Sequence, residues 1–331
     1  MAKYINKPAI LTALAVLAVV GVCIAQFGLN GHAEEREAPR RGTVPNAENP
    51  FDGARSYGYL KAICELGPRV SGSPGMSAQQ EMLTQHFTKL GAKVTPQRFR
   101  YRHPQDGSAV EMANLIIEWN PEAKDRVLLC AHYDTRPYPD RDPQNPQGEF
   151  IGANDGGSGV ALMMELGNLM SRLDPKLGVD FVLFDAEEFV FGPNDRYFLG
   201  SEYFARQYVA EPPAHKYRWA VLLDMVGDAD LEIFQERNSL SWRESRPLIK
   251  EIWQTAARLG IDEFVDRPKY EIQDDHLRLY YTAKIPSVDV IDFDYPAWHT
   301  EADRPEACSA ESLAKVGWVM HEWLKSTASQ Q

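Results

Sequence analysis

Short apolar runs that end in acids or histidines constrain this chain more than any other feature. Residues 114–119, 126–130, 179–184, 219–223 and 288–291 are rich in Leu, Ile and Val and are bounded by turn signals. Runs of that length suit strands buried on both faces. Helical spacing fills the intervals: Met82, Leu83, Phe87 and Leu90 share one face of the segment Gln79–Leu90, and amphipathic stretches follow at 160–173, 247–259 and 310–324. Strand-like and helix-like segments in alternation predict a largely parallel sheet with helices on both sides. Ligands of such sheets bind beyond the carboxyl ends of the strands.

Those ends carry the residue types of a metal site. Leu128-Leu129-Cys130 runs into Ala131-His132-Tyr133-Asp134, and Phe181-Val182-Leu183-Phe184 runs into Asp185-Ala186-Glu187-Glu188. Leu222-Leu223 runs into Asp224, and Val290-Ile291 leads to a loop ending Ala297-Trp298-His299-Thr300. Gly152-Ala153-Asn154-Asp155-Gly156-Gly157 closes a loop just before a helix. Taken singly, His132 reads as a structural histidine and Glu187-Glu188 as a solvated pair. Asp155 and Asp274 read singly as helix caps. Taken together at successive strand ends, carboxylates and imidazole suit zinc, with one coordination position left for substrate. In the adjacent pair Glu187 and Glu188, one carboxylate can hold metal while the other moves protons. The chain has no G-x-S-x-G, P-loop or G-x-G-x-x-G sequence, which argues against serine-hydrolase and nucleotide chemistry.

Charge narrows the partners. The 331 residues include 35 Lys and Arg against 47 Asp and Glu, a net charge of −12, which argues against nucleic acid. Lys3 and Lys7 precede an apolar run from Ile10 to Leu29. This reads as a secretory signal ending near Gly31-His32-Ala33 or Cys23-Ile24-Ala25, or as a retained anchor helix, so residues 1–33 predict export. Membrane contact is expected only if that helix is kept. Residues 34–50 are polar, without apolar period, and read as a flexible linker. Residues 51–331 then form one catalytic domain. Of Cys23, Cys64, Cys130 and Cys308 three remain once a signal is removed, so at most one disulfide forms internally. Nothing in the sequence specifies an oligomeric state.

The order His132-Tyr133-Asp134, Asp155, Glu187-Glu188, Leu223-Asp224-Met225-Val226-Gly227 and Trp298-His299-Thr300 resembles the zinc aminopeptidase superfamily, from about Phe51 to the C-terminus. The resemblance implies a three-layer α/β/α sandwich around a mixed, mostly parallel sheet. Within that superfamily, Cys130-Ala131-His132-Tyr133-Asp134-Thr135-Arg136-Pro137, Asp274-Asp275-His276 and Trp298 beside His299 are similar to the zinc-dependent glutaminyl-peptide cyclotransferases. This implies one zinc held by Asp155, Glu188 and His299, with Glu187 as general acid/base and Asp274 and Asp224 completing the hydrogen-bond network. Trp298, Phe191, Ile272 and Tyr295 would wall a pocket for an N-terminal Gln of a peptide or protein; Phe191 stands where the resembled cyclases carry a second Trp. A peptidase stays open, with His132 and Asp224 holding a second zinc. A metal-free binding module of the same fold is the third reading, against which the intact acid set argues.

Overall fold

The computed structural model describes residues 48–174 and 176–329. The expected export segment at 1–33 and most of the linker lie outside these residues. Helices α1 (Gly53–Cys64) and α2 (Pro74–Lys89) precede strands β1 (Lys93–Arg102), β2 (Ala109–Trp119) and β3 (Asp125–His132). Then come α3 (Ser158–Gly167), β4 (Gly178–Phe184), α4 (Leu199–Ala210), β5 (Lys216–Asp224) and β6 (Ile233–Gln235). The chain finishes with α5 (Arg237–Ser241), α6 (Arg246–Leu259), β7 (Phe264–Pro268), α7 (Asp275–Tyr281), β8 (Ser287–Ile291) and α8 (Ala310–Ser329).

Six strands form one sheet in the order β1-β2-β4-β3-β5-β8. β4, β3, β5 and β8 run parallel, whereas β2 is antiparallel to both β1 and β4. The four parallel strands therefore open their carboxyl ends on one edge. Side chains alternate across each strand, and the burial follows. Val127, Leu129, Phe181, Val221 and Leu223 pack with residues of α1, α2, α3, α6 and α8. Leu128, Cys130, Val182, Phe184 and Leu222 face the other way, onto Phe204 of α4 and Leu279 of α7. The result is a three-layer α/β/α sandwich around a mixed sheet.

All five expected strands are present. β1 carries Lys, Thr, Gln and Arg at mostly exposed positions of an edge, so its polarity hides it from an apolar-run criterion. The expected helix at 160–173 is shorter, because the chain tightens into a 3₁₀ turn at Met170–Arg172. α3 lies close on the sheet: a Cβ on Gly159 would stand 2.2 Å from the Leu223 carbonyl oxygen. Helix α8 ties down the start of the domain, through Asn49 Nδ2 donating to the Ala314 carbonyl at 3.2 Å. Among the described residues Cys64, Cys130 and Cys308 are free and buried, and no helix is long and apolar enough to cross a membrane.

A charged pair near the start of β3 lies wholly inside. Arg126 at the start of β3 ion-pairs with Asp180 of β4. Its guanidinium also donates to the carbonyls of Trp119 and Asn120 at 3.0 and 2.7 Å, and the Tyr217 hydroxyl donates to Asp180 at 2.5 Å. Removing one partner would leave the other charge buried and unpaired. Asp180→Ala is therefore expected to lower the unfolding free energy by about 3–5 kcal/mol in denaturant titration; a loss below about 1 kcal/mol, the scale of exposed pairs, would show that Arg126 reaches water.

Candidate active site

The site assembles where the parallel strands end. His132 and Asp224 are the last residues of β3 and β5. Glu187 and Glu188 follow β4, Asp155 precedes α3, His299 lies between β8 and α8, and Asp274 is the N-cap of α7. The backbone here is strained. Ala186, Phe198, Met225 and His299 are four of the six non-glycine residues with positive φ among the described residues, at 58°, 63°, 45° and 58°. Such conformations persist only where the surroundings over-determine them. Here the Asp134 carboxylate accepts from the backbone N–H groups of Glu187 at 3.0 Å and Glu188 at 3.2 Å. Phe198 N–H donates to the Glu187 carbonyl at 2.8 Å and Leu199 N–H to that of Ala186 at 3.0 Å. Gly156 has φ +77°, and a Cβ there would stand 2.4 Å from the Asp134 carbonyl oxygen. Asp134 thus turns the acidic pair, and Gly156 lets the Asp155 loop close over it.

Asp155, Glu188 and His299 offer ligand atoms that all lie within 4.8 Å of one another. His299 Nε2 is 3.5 Å from Asp155 Oδ2 and 3.5 Å from Glu188 Oε2. Asp155 Oδ2 is buried without a hydrogen-bond partner, an atom a cation would satisfy. The second His299 nitrogen, Nδ1, is 3.1 Å from Asp140 Oδ1, the outer carboxylate that commonly fixes a ligating histidine's tautomer. Two carboxylates and one imidazole fit a tetrahedral divalent cation with one open position.

His132 forms a second such set with Asp155 and Asp224. Its Nε2 lies 3.1 Å from Asp155 Oδ1 and 3.2 Å from Asp224 Oδ1. Burial opposes a charge on this ring, but Asp134, Asp155 and Asp224 outweigh it and hold its pKa well above the usual histidine range. Burial pushes Glu187 upward, and Glu188 and Asp274 add to that against the pull of His132. Asp274 is raised by burial and then by Asp224. A site this rich in buried acid calls for a cation, which would draw those carboxyls back down.

A cavity of about 420 Å³ opens on this cluster, lined by Glu187, Asp224, Asp274 and the expected wall residues Ile272 and Trp298. Trp298 lies with its ring 4.2 Å from that of His299. Phe191 and Tyr295 are not among the lining residues. Asp195 Oδ2 accepts from the N–H groups of Phe191 and Gly192, each at 2.9 Å. That turn sends Phe191 into a separate aromatic cluster with Phe189 and Phe99, and Tyr197 and Phe198 line the cavity instead. Tyr295 sits behind the wall, where its hydroxyl donates to Asp303 Oδ1 at 2.8 Å. Asp303 in turn accepts from the N–H groups of Asn154 at 2.7 Å and Asp155 at 3.1 Å, so Tyr295 acts on the donor loop rather than on the cavity. Residue-type reasoning missed Arg136, whose N–H and Nη1 donate to Glu188 at 2.8 and 3.3 Å and whose Nη2 donates to Asp140 at 3.0 Å. Its place right after His132-Tyr133-Asp134-Thr135 was the available signal.

A mixed sheet with carboxylates and imidazole gathered at its parallel ends defines an α/β metalloenzyme of the zinc-dependent exopeptidase type. The profile of peptidase family M28 matches residues 114–324, and the chain belongs to that family. It is 40% identical to a Fimbriiglobus ruber glutaminyl cyclase of known structure, with TM-score 0.80, over 85% of this chain and 97% of that one. It is 32% identical, with TM-score 0.78, to a leucine aminopeptidase precursor from Bacteroides thetaiotaomicron, over 84% of this chain and 98% of that one. Among curated proteins it is 26% identical to a Drosophila melanogaster glutaminyl-peptide cyclotransferase over 72% of this chain and 71% of the relative.

If Asp140 orients His299 for a metal, Asp140→Asn should release that metal to a competing chelator roughly 10–100-fold more readily. Metal retention equal to the parent chain in that competition would remove Asp140 from the centre.

Proposed function

We propose that this protein is a zinc-dependent glutaminyl-peptide cyclotransferase, which converts the N-terminal Gln of peptides and proteins to pyroglutamate and releases ammonia. One observation carries the reading. Glu187 and Asp274 face the donor set inside a cavity walled by Trp298, in a chain similar to a glutaminyl cyclase along nearly that protein's whole length.

Asp155, Glu188 and His299 would hold one zinc, which when bound supplies Lewis acidity at the γ-carbonyl oxygen of the substrate Gln. The walls formed by Ile272 and Trp298 enclose the Gln stem and exclude water. Glu187 takes a proton from the α-amine as its nitrogen bonds to the γ-carbon. The same carboxyl returns that proton to the γ-nitrogen, the C–N bond breaks, and ammonia leaves. The nucleophile is tethered to its target, so the main task of the site is to hold the two in line. Asp274 accepts from the γ-amide N–H. Asp224 and His132 engage each other at 3.2 Å and steady the floor beneath Glu187. Lys3, Lys7 and the apolar run Ile10–Leu29 support a reading as an exported enzyme, by a cleaved signal or a retained anchor.

The aminopeptidase reading draws on His132, Asp155 and Asp224 as a second donor set. There Glu187 would activate water, and two metals would bind. The purified chain, loaded with zinc, should turn a Gln-peptide into product lighter by one ammonia, with about one zinc per chain by elemental analysis. Loss of the first residue from a Leu-peptide, together with two zinc ions, would establish the peptidase instead.

Glu187→Gln keeps the side chain's shape and cannot accept the proton. A drop in kcat of about 10²–10⁴-fold is expected, with zinc content and KM nearly unchanged, whereas Glu188→Gln should lose zinc. Normal cyclisation by both variants would sink this mechanism.

A further inference from the structure

The cavity contains two arginines with opposite fates. Arg136 is consumed by Glu188, Asp140 and the Tyr197 hydroxyl. Arg141 is not: its guanidinium carbon lies 4.0 Å from the centre of the Trp298 ring, and among the described residues no carboxylate pairs with it. Its acidic neighbours are turned elsewhere. Asp140 faces Arg136 and His299, and Asp142 accepts from the N–H groups of Gln144, Asn145 and Glu301 at 2.9, 2.8 and 3.0 Å. The backbone is fixed, with Arg141 N–H donating to the His299 carbonyl at 3.1 Å. Stacking on an indole holds the planar fork in a defined pose.

Other arginines among the described residues also lack a carboxylate partner, but Arg141 lies on a cavity whose other ionisable lining is mostly Asp and Glu. The deep carboxylates suit the substrate's α-ammonium. Arg141 is exposed and Trp298 half-buried on the cavity wall, so a substrate residue that follows the terminal Gln out of the cavity comes within reach of this stacked pair.

We propose that Arg141 is a specificity-determining residue that recognises a carboxylate side chain immediately after the N-terminal Gln. The inference rests on the cyclase reading. A carboxylate matches the guanidinium with two parallel hydrogen bonds, and an ammonium there is repelled.

The test uses the intact zinc-loaded chain and the amidated tripeptides Gln-Glu-Ala, Gln-Ala-Ala and Gln-Lys-Ala. The parent chain should show kcat/KM for Gln-Glu-Ala roughly fivefold above that for Gln-Ala-Ala, the upper range of an exposed ion pair, and lower still for Gln-Lys-Ala. The Glu-to-Ala ratio should fall with added salt, drop to about one in Arg141→Ala, and invert in favour of Lys in Arg141→Glu. A parent ratio of one, or a ratio that both variants leave in place, would overturn the proposal. If no Gln-peptide is cyclised, the cyclase reading fails, and calorimetric binding of the same peptides still judges Arg141: tighter binding of the Glu peptide that Arg141→Ala abolishes supports it, and equal binding refutes it.

Discussion

Negative charge held out of water at the ends of four parallel strands is the constraint on which the rest depends. Asp155, Glu188 and Asp274 are buried, with Asp224 at the edge of burial and Glu187 little more exposed. Each would be costly alone in a low-dielectric interior. The protein meets part of that cost from its own groups. Asp134 receives two backbone N–H groups, Asp303 receives two more, and Glu188 receives the backbone and guanidinium of Arg136. What remains is an unpartnered oxygen on Asp155, aimed where Glu188 and His299 also converge. Those residues leave a position whose natural occupant is a divalent cation.

The strained backbone belongs to the same account. A straight continuation of β4 would point Glu187 and Glu188 to opposite faces. The left-handed turn at Ala186, fixed from both sides by Asp134 and by the N-terminus of α4, brings both carboxyls to one cavity while giving them different neighbours. Glu188 meets Arg136 and His299; Glu187 faces His132 and open space. That division of surroundings permits a division of labour between adjacent identical residues.

Much of this is legible in the amino-acid sequence. Strands buried on both faces leave continuous apolar runs, and the residue types that end them are too polar to sit there without purpose. So β2 to β5, β8 and a cluster of acids and histidines at their ends could be read from residue type and order, whereas the choice of Asp155, Glu188 and His299 as one donor set came from the family resemblance. β1 could not, because an edge strand needs no apolar face. The resemblance put Phe191 on the cavity wall, where the resembled cyclases carry a second Trp, and Tyr295 was expected beside it. Their actual positions depend on carboxylates several residues away, Asp195 and Asp303, which redirect the chain or engage the hydroxyl. Arg136 escaped because residue-type reasoning seeks ligands, whereas its role is to neutralise one.

The same site geometry also bears on why one family can host both peptide hydrolysis and cyclisation. A carboxylate placed like Glu187 can take a proton either from water or from an amine; nothing in its own position decides which. The choice falls to whatever occupies the space before it. Hydrolysis needs room for a water and for a peptide bond lying across the donors. Cyclisation needs the γ-amide at the donors and the α-amine folded back on it, a compact shape with no water between. Trp298 against His299, Ile272 beside Asp274, and Phe198, whose backbone is left-handed, all line the cavity. On the proposed cyclase reading, the apolar residues around the carboxylates, more than the carboxylates themselves, would select the nucleophile.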